Sequence, residues 1–257
     1  MENEQSSVHE FDVDLICEYF SGLERQGPGS PEVTMRALSF TGNLSDESKI
    51  ADLGCGTGGQ TMILAHNTKG TITALDRFPG FVDKLNTNAG ILGLQDRVKG
   101  IVGPMDNLPF KNDEFDLIWS EGAIASIGFE KALNYWKGFL KKGGFLAVSY
   151  ESWYTGERPA EIEKWWVDAV PEIDTIGNNI CIMEKAGYVP LAAFALPESC
   201  WIDTYFIPQK TRQEEFLKKY AGNKTVEAFI AFMRKEAELY SKYKQYYGYV
   251  FYIGKKI

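Results

Sequence analysis

Residues 51–60 read ADLGCGTGGQ and complete the segment KIADLG, a short apolar strand that runs into glycines. The next stretch, QTMILAHN, has helical character. A strand, a glycine turn and a helix in that order make a loop whose bare backbone can approach a ligand closely. Two spacings overlap in this loop. Gly54, Gly56 and Gly59 fit G-x-G-x-x-G, the dinucleotide form, whereas Gly54, Gly56 and Gly58 fit G-x-G-x-G. The loop alone does not choose between them.

Its surroundings narrow the choice. GTITALD is a strand rich in β-branched residues, and it ends in Asp76. A carboxylate at the end of the second strand receives ribose hydroxyls in both NAD and S-adenosylmethionine sites, so Asp76 supports an adenosine ligand of either kind. Asp52 lies two residues before Gly54. A pyrophosphate resting on the loop would be repelled by it, whereas an ammonium or a sulfonium would be attracted. In VGPMDNLPF (102–110), Asp106 is placed to accept from an adenine amino group, with Met105 packed beside the ring.

The rest of the chain alternates strand and helix. PGFVDKLNTNAGILG is a helix stopped at Gly93, RVKGIVG and FDLIWSEGA are strands, EKALNYWKGFLKK is a helix and GGFLAVSYES is a strand. Short apolar strands at this spacing predict a parallel sheet covered on both faces. Upstream, residues 10–22 have helical spacing, RQGPGSP (25–31) breaks the chain, and Ser30 caps a second helix that opens with Pro31 and runs to about Phe40. Downstream, SWYTGERPAEIEKWWVDAVPEID (152–174) reads as an insertion, 177–187 as a short helix, VPLAAFAL and WIDTYFI as strands, 211–245 as helical, and YGYVFYIGKK as a closing strand.

Taken together, IADLGCGTGGQ, the acidic end of ITALD, MDNLPF, FDLIWSEGA and LKKGGFLAV resemble the successive motifs of class I S-adenosylmethionine-dependent methyltransferases, nearest to the small-molecule enzymes of the ubiquinone and menaquinone type. The resemblance covers about residues 45–150. It implies an α/β Rossmann-like fold, a seven-stranded mostly parallel sheet of order 3-2-1-4-5-7-6 with its last strand antiparallel, helices on both faces and a helical cap. The whole chain, 1–257, is then a single domain: 1–44 an N-terminal lid, 45–150 the cofactor-binding core, 151–176 a cap insertion, and 177–257 the C-terminal helices and strands. The implied cofactor is S-adenosyl-L-methionine, with S-adenosyl-L-homocysteine as product. Asp52 and Gly54 lie by its methionine end, Gly56 and Gly58 give clearance, Asp76 takes the ribose, Arg77 and Phe78 flank the adenosine, Met105 and Asp106 frame adenine, and Ser120 and Glu121 face the sulfonium and the acceptor. Arg77 stands where an apolar residue is usual. If the acceptor needs a general base, Glu121 is the first candidate and Tyr150 the second.

Composition sets limits on partners. The net charge is −8 and the pI about 5.0, which disfavours nucleic acid. Cys17, Cys55, Cys181 and Cys200 are widely spaced and the only histidines are His9 and His66, which argues against a zinc site or a disulfide framework; no metal is expected. The polar N-terminus lacks a signal-peptide pattern and no apolar run reaches spanning length, so the expectation is a cytoplasmic protein acting on a small molecule, with a homodimer left open. Trp153, Tyr154, Trp165 and Trp166 read first as packing and second as an aromatic acceptor pocket. Two other classes stay in view: an NAD-dependent oxidoreductase, and a non-catalytic S-adenosylmethionine-binding subunit.

Overall fold

The computed structural model describes residues 11–42 and 44–257; His9 and the beginning of the proposed lid lie outside the described residues. The lid segment holds two helices, α1 (Val13–Ser21) and α2 (Pro31–Leu38). Each is capped by a side chain: Asp12 accepts from the Leu15 amide at 3.0 Å, and Ser30 accepts from the Val33 amide at 3.4 Å, with Pro31 at the first helical position.

The apolar runs become β1 (Lys49–Leu53), β2 (Thr71–Asp76), β3 (Val98–Val102), β4 (Phe115–Glu121) and β5 (Leu140–Trp153), joined in parallel ladders. Between them come α3 (Gly59–Asn67), α4 (Pro79–Ile91) and α5 (Phe129–Trp136). Gly93 stops α4 at a φ of 68°. A two-residue strand, β6 (Asp174–Thr175), pairs with β5 after α6 (Ala160–Ala169). Then follow α7 (Ile176–Lys185), β7 (Tyr188–Ala195) and, last, β8 (Tyr247–Lys256), which inserts antiparallel between β5 and β7. The order is β3-β2-β1-β4-β5-β8-β7. Without the short β6, this is the expected order.

WIDTYFI is not a strand. It continues α8 (Ser199–Trp201) as one π-turn (Ile202–Phe206) into α9 (Ile207–Lys219), and α10 (Lys224–Tyr243) follows. The seven residues are apolar enough for either state, and burial decides. Trp201 is fully buried and stacks on Tyr240 of α10 with ring centroids 4.4 Å apart. The start of this helical layer is also tied to the lid: the Gly29 amide donates to the Cys200 carbonyl, and Thr204 Oγ1 donates to the Gly29 carbonyl. The helical stretch expected over 211–245 breaks at Gly222, which has a φ of 81°. The insertion expected from residue 151 begins later, because β5 runs on to Trp153.

Strand register sorts side chains onto two faces. Asp52 pairs with Trp119, Glu121 with Ser149, Ser149 with Phe251, and Glu151 with Tyr249. These residues share one face with Asp76. Tyr150 and Tyr252 point to the other, where Phe129 of α5 packs at 4.7 Å and 5.4 Å. The two faces therefore carry different chemistry: acidic side chains on the face that the N-terminal segment contacts, and an aromatic core under α5.

Candidate active site

The glycine loop turns sharply off β1. The Gly54 and Cys55 amides both donate to the Leu75 carbonyl, at 2.8 and 3.1 Å, which pins the loop to the end of β2. Gly54 and Gly56 have φ of 73° and 53°, in the left-handed region that side chains disfavour. Space is as restrictive as torsion. A Cβ on Gly54 would lie 2.3 Å from Ala123 Cβ and 3.1 Å from Met105 Sδ. A Cβ on Gly56 would lie 2.2 Å from Gln26 Oε1. Gly58 completes the G-x-G-x-G run at a φ of 91°.

Asp76 stands over this loop. It is nearly buried and accepts from the Gly56 amide at 2.9 Å and from the Phe78 amide at 3.0 Å. Burial raises its pKa, opposed by those amide bonds. Asp52 is wholly buried below the loop. Thr61 Oγ1 donates to it at 2.6 Å and Gln60 Nε2 at 3.4 Å, both from α3. Desolvation pushes its pKa up to about 7, and the like charges of Glu121 and Asp76 push the same way.

Glu121 lies at the end of β4, and the N-terminal segment reaches it. Arg25 Nη2 donates to Oε2 at 2.6 Å, while Thr34 Oγ1 and Trp119 Nε1 donate to Oε1 at 2.7 and 3.0 Å. Both ion-pair side chains are largely buried, at 10% and 5% exposure for Arg25 and Glu121. One residue on, Gln26 donates to Thr57 Oγ1 at 3.0 Å and accepts from the Thr57 amide at 3.1 Å. Residues 25 and 26 thus clasp both the sheet edge and the glycine loop. RQGPGSP reads in sequence only as a break between two helices, so it does not single out Arg25 and Gln26 as the partners, and Thr34 carries no sequence signal.

The other expected residues divide by position. Met105 abuts Gly54, and its carbonyl accepts from Trp136 Nε1 at 3.0 Å. Asp106 is exposed on the following turn, and Arg77 is exposed with its guanidinium 5.3 Å from the Phe78 ring. Ser120 and Tyr150 are both fully buried on the opposite face from Glu121, and neither hydroxyl has a partner among the described residues. Burial drives the Tyr150 phenol pKa far upward, so this hydroxyl holds its proton. His66 is exposed at the end of α3, away from the loop.

The architecture and the loop can now be set beside known proteins. Residues 51–148 match the family model described as a methyltransferase domain. This segment is a methyltransferase domain. It holds the glycine loop, Asp76, Met105 and Glu121. A sterol 24-C-methyltransferase of Pneumocystis carinii is 26% identical over 161 residues, covering 59% of this chain and 42% of that protein. The chain spans between 39% and 54% of the length of the first curated relatives it matches. Two solved structures share the fold along nearly the whole chain. An S-adenosylmethionine-dependent methyltransferase from Thiobacillus denitrificans, in complex with S-adenosyl-L-homocysteine, has a TM-score of 0.83 at 18% identity, covering 96% of this chain and 100% of that one. Its counterpart from Geobacter sulfurreducens, in the same complex, has a TM-score of 0.82 at 17% identity, covering 96% and 99%. The methyltransferase fold therefore extends beyond residues 51–148 to the lid and the C-terminal layer. Among the described residues, no helix is long and apolar enough to cross a membrane.

Proposed function

We propose that this chain transfers a methyl group from S-adenosylmethionine to a small-molecule acceptor. The observation that carries this reading is the glycine cradle between β1 and α3, tied through the Gly56 amide to a carboxylate at the end of β2. The cradle suits the ligand. Its glycines leave no room for side chains, so backbone faces the bound molecule, and each Asp76 oxygen accepts one amide bond and keeps a second lone pair for a ribose hydroxyl.

Gly54, Gly56, Gly58 and Asp76 are assigned to cofactor binding, with Met105 and Asp106 at the adenine end and Arg77 and Phe78 along the adenosine. Asp52 acts from beneath. Its bonds to Thr61 and Gln60 set the angle between β1 and α3, and its charge favours a cationic ligand above it. S-Adenosylmethionine, when bound, supplies a methyl group on a sulfonium that leaves readily. The chain's own contribution is then mostly to position the acceptor and exclude water.

Within the proposed N-terminal lid, residues 22–30 are the part that closes over the loop, and Glu121 is its latch. With three donors on its two oxygens, Glu121 holds Arg25 and α2 against the sheet edge instead of standing free to take a proton. Lid motion gates entry to the loop. The experiment is turnover: incubate the protein with S-adenosylmethionine and a panel of small apolar amines, phenols and acids, and follow S-adenosylhomocysteine by mass spectrometry. Acceptor-dependent product supports the reading. Tight cofactor binding without product on any acceptor would favour a binding subunit instead.

A further inference from the structure

Beyond Glu121, the same face of the sheet carries another buried carboxylate. Glu151 follows two residues after Ser149 on β5 and pairs in register with Tyr249 of β8. It is 5% exposed; Tyr249 OH donates to Oε1 at 2.5 Å, and among the described residues Oε2 has no partner. A buried carboxylate oxygen without a donor is costly to keep, which makes it a mark of a ligand site. Its place fits one. A Cβ on Gly122, the residue after Glu121, would lie 3.5 Å from Tyr249 Cε1 and 3.7 Å from its hydroxyl. The Gly122 amide itself is held by Ser149 Oγ at 2.9 Å. The Glu151–Tyr249 pair therefore begins where the candidate active site ends.

Aromatic rings surround this pair. Trp201 packs on Tyr249 at 5.4 Å and stacks on Tyr240, and its indole N–H has no acceptor among the described residues. A second carboxylate, Glu236 of α10, accepts from Tyr205 OH at 3.2 Å. Among the described residues, neither Glu151 nor Glu236 bonds a lysine or an arginine. The surroundings of the pair are thus aromatic and acidic, with no bonded lysine or arginine among the described residues.

We propose that Glu151, Tyr249 and Trp201 form the acceptor pocket and that the acceptor is an amine carried on an apolar body, received as its ammonium by Glu151. The inference rests on the methyl-transfer reading above and narrows it to a substrate class. Aromatic faces attract a cation, a desolvated carboxylate pairs with it, and an acidic wall rejects carboxylates and phosphates. A bound ammonium cannot attack, because its nitrogen has no free electron pair. Glu151 Oε2 takes one N–H proton, leaving a neutral amine and a carboxylic acid. The freed pair forms the new N–CH3 bond while the C–S bond electrons return to sulfur, which becomes a neutral thioether. The methylated product carries the positive charge, again facing the rings, and Glu151 passes its proton to water after release. Burial, opposed by the Tyr249 bond, holds the Glu151 pKa at about 7, which suits reversible proton exchange near neutral pH. The titratable groups facing the pair are Tyr205 and Glu236.

The test is a binding titration on the protein loaded with S-adenosylhomocysteine, so that no turnover intervenes. The probes are primary, secondary and tertiary phenethylamines, with 2-phenylethanol and phenylacetate as neutral and anionic counterparts. The wild type is expected to bind at least one amine ten-fold or more tightly than either counterpart. Glu151→Gln is expected to lose that preference while binding S-adenosylhomocysteine as the wild type does. Tyr249→Phe, which removes one hydroxyl, is expected to weaken the preference and serves as the check if the first variant misfolds. No amine preference in the wild type, or a preference that survives in both variants, would overturn the proposal. A wild type that binds no S-adenosylhomocysteine would instead overturn the methyl-transfer reading beneath it.

Discussion

The latch makes a quantitative prediction. In Glu121→Gln the volume is kept and Oε1 still accepts from Thr34 and Trp119, but Arg25 is left as a buried guanidinium without its carboxylate. Among the described residues Arg25 Nη1 already has no partner, so none of them offers a second acceptor. Breaking a buried pair from one side costs about 3–5 kcal/mol. The cost falls on the docking of residues 22–30, because Arg25 is a lid residue and Glu121 a sheet residue. At about 3 kcal/mol the lid-opening equilibrium shifts by roughly a hundred-fold, since about 1.4 kcal/mol is ten-fold. The Thr57 amide reports it, because its N–H is held by Gln26 Oε1 of the lid. Hydrogen exchange should therefore be about a hundred-fold faster at Thr57 in the variant, with the central amides of β4 and β5 unchanged. Adding Arg25→Met should recover much of the protection, because apolar replacement of a buried pair is often neutral. Unchanged exchange at Thr57 would refute the latch. Equal acceleration throughout the sheet would mean that Glu121 supports the fold instead of the lid.

Other outcomes follow from the same geometry. Gly54→Ala forces a Cβ to 2.3 Å from Ala123 Cβ at a φ of 73°. Left-handed strain and overpacking together should cost about 2–5 kcal/mol, visible as a lowered midpoint in thermal unfolding; an unchanged midpoint would contradict the packing. Trp201→Ala removes a fully buried ring stacked on Tyr240 and should cost about 3–5 kcal/mol in urea unfolding, whereas a loss below about 1 kcal/mol would place the ring outside the core. Asp52 has a folded pKa raised to about 7, so its protonated form favours folding and the associated stability is lost as pH rises from about 4, the unfolded carboxylate range, toward 7. Asp52→Asn should thus gain thermal stability relative to wild type at pH 8 more than at pH 5, and an equal offset at both would contradict the buried acid.

The parallel core was legible because its signals are local: apolar runs such as ITALD, helix stops at Gly93, and a glycine loop between β1 and α3. The C-terminal layer was harder. In WIDTYFI, apolar residues recur without a decisive period, and contacts of Trp201 with Tyr240 and Tyr249, distant in sequence, select the helical state. The site was legible where it is made by one loop and hidden where it is made by pairing. Arg25 and Glu121 are 96 positions apart, and no spacing rule links them. The face of Tyr150 depends on β4 pairing Glu121 with Ser149, across a ladder that shifts register between Phe115 and Leu117. A slip of one residue would have turned Tyr150 toward Glu121, and sequence does not show such slips. Glu151 went unnoticed for the same reason, since its face and its Tyr249 partner are set by β8, a strand that returns from the far end of the chain.

The glycine loop and Asp76 are proposed to hold an adenosyl amino acid. The decisive measurement is calorimetric titration with S-adenosylhomocysteine and NADH, on the wild type and on Asp76→Ala. Hydrogen bonds to a charged group are worth about 1.5–3 kcal/mol, so S-adenosylhomocysteine binding is expected to weaken by roughly ten- to a hundred-fold in the variant, with no NADH binding to either. Binding of NADH without S-adenosylhomocysteine would contradict it and return the loop to a dinucleotide.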